Sequence, residues 1–548
     1  MATLLKTSEA SEPAAEELER WIDATQKKSL LRFITCGSVD DGKSTLIGRL
    51  LYDSKLLFED QLSQLASDSR KLGTQGGALD FALLVDGLSA EREQGITIDV
   101  AYRFFSTERR KFIVADTPGH EQYTRNMVTG ASTADLAVIL IDARKGVLTQ
   151  TKRHSFLAKL LGIRHLVLAV NKMDLVGYSQ SVFESIVADY AEFARAAGIE
   201  AFTAIPVSGL AGDNITARSS AMPWYEGPSL LDHLETVPPE QRETANEPFR
   251  MAVQWVSRPN QNFRGFAGRI ASGRVRVGDP VTILPAGRTT FVERIVTFDG
   301  DLDHGAEGQS VTLTFTDEID CSRGDLIVSA DEAAEPANRI LANLVWMSDE
   351  KLVPHRSYWL KIGAQTVSAS VDLVRSIIDV NTLADRPGEA LGLNDIGKVE
   401  IDLDRTIPAV RYARNRKLGG FILIDKISHA TIAAGLVEDL PESGISTRPT
   451  RSSFETIAWV TGNRRNTWAA LAAARLKAQG RPVIVIGDAA VAAFPGNDPV
   501  KAAREVARLV AGAGVAALIT IEAAPGETRP GRVIDSSTEE LGGDEWVI

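Results

Sequence analysis

Cysteine is scarce in this sequence, and its scarcity excludes two kinds of small-protein architecture. Only two cysteines, Cys36 and Cys321, occur in 548 residues. Two thiols so far apart match neither the paired spacing of a structural zinc site nor a disulfide framework. We therefore expect both to be ordinary buried thiols.

Long apolar runs are also missing. The composition, 44% hydrophobic and 24% charged, is that of a globular protein. No run approaches the about 18 apolar residues that a membrane-spanning helix needs. Residues 1–28 lack the basic start and apolar centre of a secretory signal. The sequence therefore predicts a cytoplasmic protein with no membrane partner.

Positive charge is in deficit, because 60 Lys and Arg residues stand against 72 Asp and Glu residues, a net charge of −12. Since phosphate backbones attract cations, this balance argues against broad attraction to nucleic acid. A local basic surface is still compatible with an acidic protein. Charge therefore disfavours nucleic acid as a partner without excluding it.

The length of the chain predicts about three to five domains. From Leu30 to Leu234, short apolar runs alternate with helical stretches, a pattern typical of a parallel α/β domain. The apolar runs are Leu31–Cys36, Phe112–Ala115, Leu136–Ile141, Leu166–Val170 and Ala204–Val207. We assign residues 1–27 to an N-terminal extension and residues 28–240 to this α/β domain.

The remainder of the chain predicts a multidomain protein. Short β-type runs with Gly and Pro turns predict a β-barrel in residues 245–335 and a second in residues 336–440. Within the second, Val371–Val380 is compatible with a strand or with one helical turn. Residues 441–453 form a polar linker. Residues 454–548 are rich in alanine, with alternating helical and strand-like runs, and predict a C-terminal α/β domain.

A phosphate-binding loop follows the first apolar strand. Residues 37–44 fit the pattern G-x-x-x-x-G-K-[ST] and precede a helical segment, Thr45–Tyr52, which is the context that this motif requires. Backbone N–H groups of such a loop face phosphate oxygens, Lys43 reaches the β and γ phosphates, and Ser44 can ligate Mg²⁺. The residues expected to cradle the phosphates are Gly37, Ser38, Val39, Asp40, Asp41, Gly42, Lys43, Ser44 and Thr45.

Two further segments are expected to complete the phosphate and metal site. Asp116 follows the apolar strand Phe112–Ala115, where its carboxylate can hold Mg²⁺ through water, and Gly119 can offer its N–H to the γ-phosphate. Thr97 lies between the two motifs, in a loop that can close its hydroxyl onto the metal. The predicted metal ligands are Ser44, Thr97 and Asp116.

His120 follows Gly119 directly and is placed to orient an attacking water. With Lys43 and Thr97 it completes the predicted catalytic residues. The other histidines show no metal-ligand spacing, and we assign them no role.

The choice of base is expected to depend on Asn171, Lys172 and Asp174. A carboxylate at Asp174 accepts the ring N–H and the exocyclic amine of guanine, a pair of donors that adenine lacks. Ser208 and Gly209 end the last strand, where backbone N–H groups can meet the guanine O6. The ordered motifs together predict a GTP hydrolase that uses GTP and Mg²⁺.

These motifs resemble those of translation-factor GTPases such as elongation factor Tu. A closer resemblance, over residues 28 to about 440, is to the large GTPase subunit of bacterial sulfate adenylyltransferase (ATP sulfurylase). It rests on Gly37–Thr45, Glu91–Arg103, His120–Met127 and Met222–Tyr225. Elongation factors usually carry His at the positions of Ser38 and Asp41, so this chain departs from them there.

The resemblance implies a partner and a coupled reaction. A small catalytic subunit would bind ATP and sulfate and form adenosine 5′-phosphosulfate and pyrophosphate, and GTP hydrolysis on this chain would drive that unfavourable step. Val39 and Ile96 would form an apolar gate beside His120. The alternatives are an elongation-factor-like GTPase that delivers aminoacyl-tRNA, and a scaffold that binds GTP with negligible turnover.

Residues 454–548 resemble adenosine phosphosulfate kinase, a domain often fused after this GTPase. Ile457–Gly462 is similar to the strand that enters the kinase P-loop, and Val485–Ala490 keeps only the glycine and second aspartate of a later Asp-Gly-Asp-Asn motif. The phosphate-binding glycine, lysine and hydroxyl are replaced by Thr467, Trp468 and Ala469. We expect a degenerate, inactive kinase-like domain, with an unrelated α/β domain as the alternative.

Overall fold

The structure is a computed structural model of the 548-residue chain. It describes residues 28–54, 59–72, 79–85, 97, 99–238, 247–331, 336–441, 457–478, 483–488, 499–512, 516–521 and 532–535. The chain divides into two compact units, residues 1–241 with 380–383 and residues 242–379 with 384–548. None of the helices in the described ranges is both long and apolar enough to cross a membrane.

The first unit is an α/β domain. Its strands are β1 Ser29–Cys36, β2 Ala101–Ser106, β3 Arg110–Asp116, β4 Leu136–Asp142, β5 His165–Asn171 and β6 Thr203–Pro206. Its α-helices are α1 Lys43–Asp53, α2 Glu59–Leu72, α3 Thr124–Ala131, α4 Thr149–Leu160, α5 Gln180–Ala196 and α6 Leu230–Thr236. Short 3₁₀ helices span Phe81–Leu84, Glu121–Tyr123 and Met173–Val176.

The six strands form one sheet in the order β2-β3-β1-β4-β5-β6. β2 is antiparallel to β3, and the other neighbours are parallel. β4 is buried along its whole length, as expected for the central strand of a parallel sheet covered on both faces. The predicted parallel α/β arrangement is therefore present.

The ends of the strands differ slightly from the apolar runs that predicted them. The backbone hydrogen bonding of the sheet extends past the apolar residues to polar ones, so Asp116 and Asn171 are the last residues of β3 and β5. The predicted strand Ala204–Val207 instead spans Thr203–Pro206. Because Asp116 and Asn171 belong to the sheet, the sheet itself fixes the backbone of two predicted site residues.

Helix α1 begins at Lys43, within the predicted phosphate loop and two residues before the helical segment Thr45–Tyr52 that the sequence predicts. Gly42 precedes it in the left-handed region, with φ of +89°, a conformation that favours glycine. Leu46, Ile47 and Leu50 are buried in this helix and pack it onto the sheet. Since glycine offers no side-chain cap, the first N–H groups of the helix remain available to an anion.

The second unit contains two antiparallel barrels. The strands of the first are β7 Arg250–Asn260, β8 Phe263–Ser272, β9 Arg274–Arg276, β10 Pro280–Leu284, β11 Arg288–Thr297, β12 Gly300–Leu302, β13 His304–Ala306, β14 Ser310–Phe315 and β15 Leu326–Ser329. The sheet runs β10-β15-β7-β8-β14-β11-β12, and pairing of β10 with β11 closes it. β9 and β13 form a separate ribbon.

The second barrel follows the same principle. It contains β16 Pro336–Trp346, β17 Ser357–Ile362, β18 Gln365–Ile378, β19 Asp385–Arg386, β20 Ile396–Pro408, α7 Arg416–Gly419, β21 Gly420–Ile424 and β22 Thr431–Asp439. Its sheet runs β17-β21-β22-β16-β20-β18-β19, and pairing of β17 with β18 closes it. The segment Val371–Val380, for which the sequence left two alternatives open, is a strand through Ile378.

An apolar cluster joins the two barrels. Its buried members are Leu284, Leu326, Val328 and Val410, with Ala252 and Leu418 packed against them. Asn415 of the second barrel donates a hydrogen bond to the carbonyl of Ala271 in the first, at 3.1 Å. The barrels therefore share a small core of their own.

The C-terminal segment contains β23 Ile457–Thr461, α8 Arg465–Ala478, β24 Val483–Ile486, α9 Pro499–Gly512, β25 Ala516–Ile519 and β26 Arg532–Asp535. Its four strands form a parallel sheet in the order β24-β25-β23-β26. Trp459 packs with α9 on one face, and Val460 packs with α8 on the other. The segment is thus an α/β fold, as its composition predicts.

Both cysteines are free and buried. Burial raises the pKa of Cys36 and of Cys321 to about 12, so both stay protonated thiols. The expectation of ordinary buried thiols is confirmed.

Arg110 supplies a stability prediction for the first unit. This buried guanidinium donates to the carbonyls of Leu234 (2.9 Å) and Val237 (2.6 Å) at the end of α6. Arg110→Met leaves both carbonyls without their donor, and we expect it to destabilise the domain by about 2 to 4 kcal/mol. Urea unfolding of the full chain, with hydrogen exchange of α6 and β3, measures this loss.

The neighbouring arginine is the control. The side chain of Arg109 is 69% exposed and pairs with Glu235 at 3.4 Å. Because an exposed ion pair contributes little, Arg109→Met is expected to change stability by less than about 1 kcal/mol. Equal effects of the two substitutions would contradict the structural role of Arg110.

Candidate nucleotide site

The predicted site residues converge on one edge of the first sheet. β1 lies between β3 and β4, so the order of the strands reverses beside it. In open α/β sheets, ligands bind at the carboxyl ends of the strands at such a reversal. The loops after β1, β3, β5 and β6 all start at this edge, and they carry the predicted phosphate, metal and base residues.

The first two residues of the phosphate loop donate their backbone N–H groups to side chains. The N–H of Gly37 donates to Nδ1 of His154 at 3.1 Å, and the N–H of Ser38 donates to Oδ2 of Asp41 at 2.5 Å. The other oxygen of Asp41 is buried and has no hydrogen-bond partner among the described residues. Burial raises the pKa of Asp41 to about 6, although nearby Lys43 opposes this rise.

Lys43 lies against the backbone of the loop. Its Nζ donates to the carbonyls of Ser38 (2.8 Å) and Gly37 (3.3 Å). Burial lowers the pKa of Lys43, and the carboxylates of Asp116 and Asp41 oppose that effect. A buried ammonium with two carbonyl partners is well placed to exchange them for phosphate oxygens.

The loop after β3 comes close to this ammonium. A Cβ built on Gly119 would lie 2.5 Å from Nζ of Lys43 and 2.7 Å from the carbonyl carbon of Ser38. Only glycine fits at that position without displacing the phosphate loop. The predicted neighbours Lys43 and Gly119 are therefore brought together.

Three oxygen atoms meet beside the start of α1. Oγ of Ser44 donates to Oδ2 of Asp116 at 2.7 Å and lies 3.2 Å from Oγ1 of Thr97. Thr35 donates to the other oxygen of Asp116 at 3.0 Å. Hard oxygen donors of this kind are the ligands that Mg²⁺ prefers, so the residues fit the predicted metal.

His120 is exposed and precedes the 3₁₀ helix Glu121–Tyr123, as its N-cap. Its Nδ1 accepts from the N–H of Gln122 at 3.3 Å, which leaves the proton of a neutral imidazole on Nε2. Val39 of the expected apolar gate is half-buried, whereas Ile96 lies outside the described residues. The same is true of most of Glu91–Arg103, of which the structure describes Thr97 and residues 99–103.

Asn171 joins three of the loops. Its Nδ2 donates to the carbonyl of Asp41 at 2.8 Å, and its Oδ1 accepts from the N–H of Gly209 at 2.9 Å. A Cβ built on Gly42 would lie 2.5 Å from the same Nδ2. The buried amide therefore fixes the phosphate loop relative to the base loops.

Asp174 lies in the 3₁₀ turn after β5, where its Oδ1 accepts from the hydroxyl of Ser208 at 2.7 Å. This hydrogen bond fixes one carboxylate oxygen of Asp174, the residue predicted to bind the guanine base. Ser208 itself is fully buried. Asp174 and Ser208 are therefore brought together, as their placement after neighbouring strands predicts.

Lys172 bridges the phosphate loop and β4. Its Nζ donates to the carbonyl of Asp40 and lies 3.1 Å from Oδ2 of Asp142. Arg144 bonds the same carboxylate at 2.6 Å. Burial alone would raise the pKa of Asp142, but the bonds from Arg144 and Lys172 hold this pKa well below its usual range. A charged aspartate thus anchors Lys172.

The sequence motifs did not reveal His154 or Asp142. His154 is fully buried in α4, and its Nε2 lies 2.9 Å from Nε2 of Gln150. Burial lowers its pKa to about 3, with Lys43 and Arg153 acting in the same direction, so the ring stays neutral and can accept from Gly37. The only sequence signal was a histidine within a helix whose other inward residues are uncharged.

Comparison with known families agrees with this geometry. Residues 28–240 match the family described as "Elongation factor Tu GTP binding domain", and residues 339–438 match "GTP-eEF1A C-terminal domain-like". The chain therefore carries a GTPase domain of this type in residues 28–240.

The relatives are more specific. Proteins named sulfate adenylyltransferase subunit 1, from Salmonella paratyphi C and Salmonella typhimurium, are each 54% identical over 456 residues, 83% of this chain and 94% of theirs. The chain belongs to this family, as the GTPase subunit of a sulfate adenylyltransferase. A solved structure of Sup35 complexed with GDP covers 75% of this chain and 94% of its own, at 23% identity and a TM-score of 0.35.

Base selection gives a direct test of the site. Asp174→Asn replaces one acceptor facing the base with a donor, so we expect GDP affinity to fall at least about tenfold and xanthosine diphosphate to gain. Competition with a fluorescent nucleotide measures both. Asp189→Asn, on the exposed face of α5, is the control. An unchanged preference in Asp174→Asn would remove this residue from the base site.

Proposed function

We propose that this chain binds GTP with Mg²⁺ in the cytoplasm and that its GTP hydrolysis drives sulfate activation on a small catalytic partner subunit. The partner would join ATP and sulfate into adenosine 5′-phosphosulfate and pyrophosphate. The observation that carries the proposal is the meeting of Ser44, Thr97 and Asp116 oxygens near the buried ammonium of Lys43. The name of the relatives, "subunit 1", supports a partner.

The residues divide into three tasks. The phosphate loop, Lys43 and Gly119 would bind the triphosphate, and Asp174 with Asn171 would hold the base. Ser44, Thr97 and Asp116 would hold Mg²⁺, directly or through water. When bound, Mg²⁺ neutralises charge on the β and γ phosphates.

We propose the domain boundaries 28–240 for the GTPase, 245–335 and 336–440 for the barrels, 441–453 for the linker and 454–548 for the C-terminal domain. The closed sheets of the two barrels support the boundaries of the second and third domains.

Delivery of aminoacyl-tRNA is the alternative function, and it would use the same GTPase core. Retention of aminoacyl-tRNA on a filter in the presence of GTP, without sulfate-dependent pyrophosphate release, would favour that alternative.

His120 tests the hydrolytic step. Because it follows Gly119, which lies beside Lys43, we propose that Nε2 orients the attacking water. His120→Ala is expected to keep GTP affinity and to lose about tenfold or more in single-turnover hydrolysis. His304→Ala, at an exposed position of strand β13 in the first barrel, is the control. Weaker binding with an unchanged rate on the bound fraction would contradict this role.

Coupling has its own readout in the same variant. With the partner subunit present, His120→Ala should slow sulfate-dependent pyrophosphate release as well as GTP hydrolysis. Normal adenylation with slow GTP hydrolysis would show that the two reactions are not coupled.

We further propose that residues 454–548 form a kinase-like domain without kinase activity. Trp468 stands where the phosphate-binding lysine would be, and it is buried against Ala458, Val460 and Leu518. A side chain committed to the core cannot reach a phosphate. The domain would then serve docking or stability.

The test of this domain uses the full chain with ATP, Mg²⁺ and adenosine 5′-phosphosulfate. We expect no 3′-phosphorylated product, and an active adenosine phosphosulfate kinase in a parallel reaction is the positive control. Enzyme-dependent product would overturn the proposal. Deletion of residues 454–548 is expected to leave GTP binding intact, since no nucleotide motif lies beyond Gly209.

A further inference from the structure

A closed ring of hydrogen bonds surrounds Asp174. Its Oδ1 accepts from the hydroxyl of Ser208 (2.7 Å), and the N–H of Ser208 donates to the carbonyl of Asp213 (3.2 Å). Oδ2 of Asp213 accepts from the phenol of Tyr178 at 2.8 Å. The N–H of Tyr178 returns to the carbonyl of Met173, next to Asp174, at 2.8 Å. The ring joins the loop after β5 to the loop after β6.

The backbone of Tyr178 is held in an unusual conformation. Its φ is +55°, in the left-handed region that non-glycine residues seldom adopt. Its carbonyl accepts from the indole N–H of Trp224 at 3.1 Å, and Trp224 packs against Phe183 with ring centroids 5.4 Å apart. The segment Met222–Tyr225, which no nucleotide motif explains, thus supports Tyr178.

Asp213 is held from both sides. While Oδ2 accepts from Tyr178, Oδ1 accepts from the hydroxyl of Ser219 at 2.6 Å. The N–H of Ser219 in turn donates to Oδ1 of Asn214 at 2.7 Å. Burial raises the pKa of Tyr178 to about 12, so its phenol remains a donor at every physiological pH. Removing the phenolic O–H therefore opens the ring at one defined bond.

We propose that Tyr178 is a positioning residue for guanine selectivity, acting through Asp213 and Ser208 on the carboxylate of Asp174. The inference rests on the proposed reading of guanine by Asp174. A carboxylate distinguishes guanine from hypoxanthine through the exocyclic amine, which hypoxanthine lacks, and that contact requires a fixed orientation. If the ring opens, Asp174 loses part of its support, and the amine contributes less to binding.

The experiment compares GDP with inosine diphosphate on the full chain, by displacement of a fluorescent nucleotide. We expect Tyr178→Phe to reduce the dissociation constant for inosine diphosphate, divided by that for GDP, by about threefold to tenfold, as the loss of one partly buried hydrogen bond allows. Tyr190→Phe is the matched control, because its buried phenol donates to Ser155 at 2.9 Å in the same domain. The control should leave the ratio unchanged.

A double-mutant cycle checks that the effect passes through Asp213. Asp213→Ala should lower the same ratio, and Tyr178→Phe should add little to it, since both open one ring. If Tyr178→Phe weakens the binding of GDP and of inosine diphosphate equally, the role of Tyr178 is only structural and the inference is overturned. Asp174→Asn separates the two claims: if the GDP preference survives that change, the proposed base reading fails, whatever Tyr178 does.

Discussion

The buried amide of Asn171 is the interaction on which the nucleotide site depends. It is the last residue of β5, so the sheet fixes its backbone. Its two side-chain groups then bond the phosphate loop at Asp41 and the last loop at Gly209. Because an amide offers both a donor and an acceptor, it can bond one carbonyl and one N–H at once. An aspartate or a leucine of similar size would leave at least one buried group unpaired.

The sequence predicted which loops form the nucleotide site better than it predicted the hydrogen bonds that fix those loops in place. Asp116, Asn171 and Asp174 follow apolar runs of the sequence, and parallel strands bring their carboxyl ends to one edge, so the proximity of these residues could be foreseen. The bonds from Gly37 to His154 and from Tyr178 to Asp213 could not be foreseen, because the first depends on the packing of helix α4 and the second on the path of two loops. Strand β18 shows the same limit of sequence-based prediction. The segment Val371–Val380 was compatible with a strand or a helical turn, and its pairing with β20 makes it a strand.

Charge is concentrated in this site before any ligand is considered. Burial acts in opposite directions on Asp41 and Lys43, since it raises the pKa of the acid and lowers that of the base. Each charge partly offsets the penalty on the other. Asp142 is held in its charged form by Arg144 and Lys172 instead. Functional sites commonly keep such costly groups, and the apolar strands around them supply the compensating stability.

The C-terminal domain shows how packing can exclude chemistry. In a phosphate-binding loop the lysine at the start of the helix must project from the loop toward the ligand. Trp468, which we propose to stand at that position, lies in the first turn of α8 and is 5% exposed, with its indole in the same cluster as Val460 and Leu476. A lysine in place of Trp468 would bury a charge without a partner and would open a cavity. Phosphate binding at this position would therefore require repacking of the helix against the sheet.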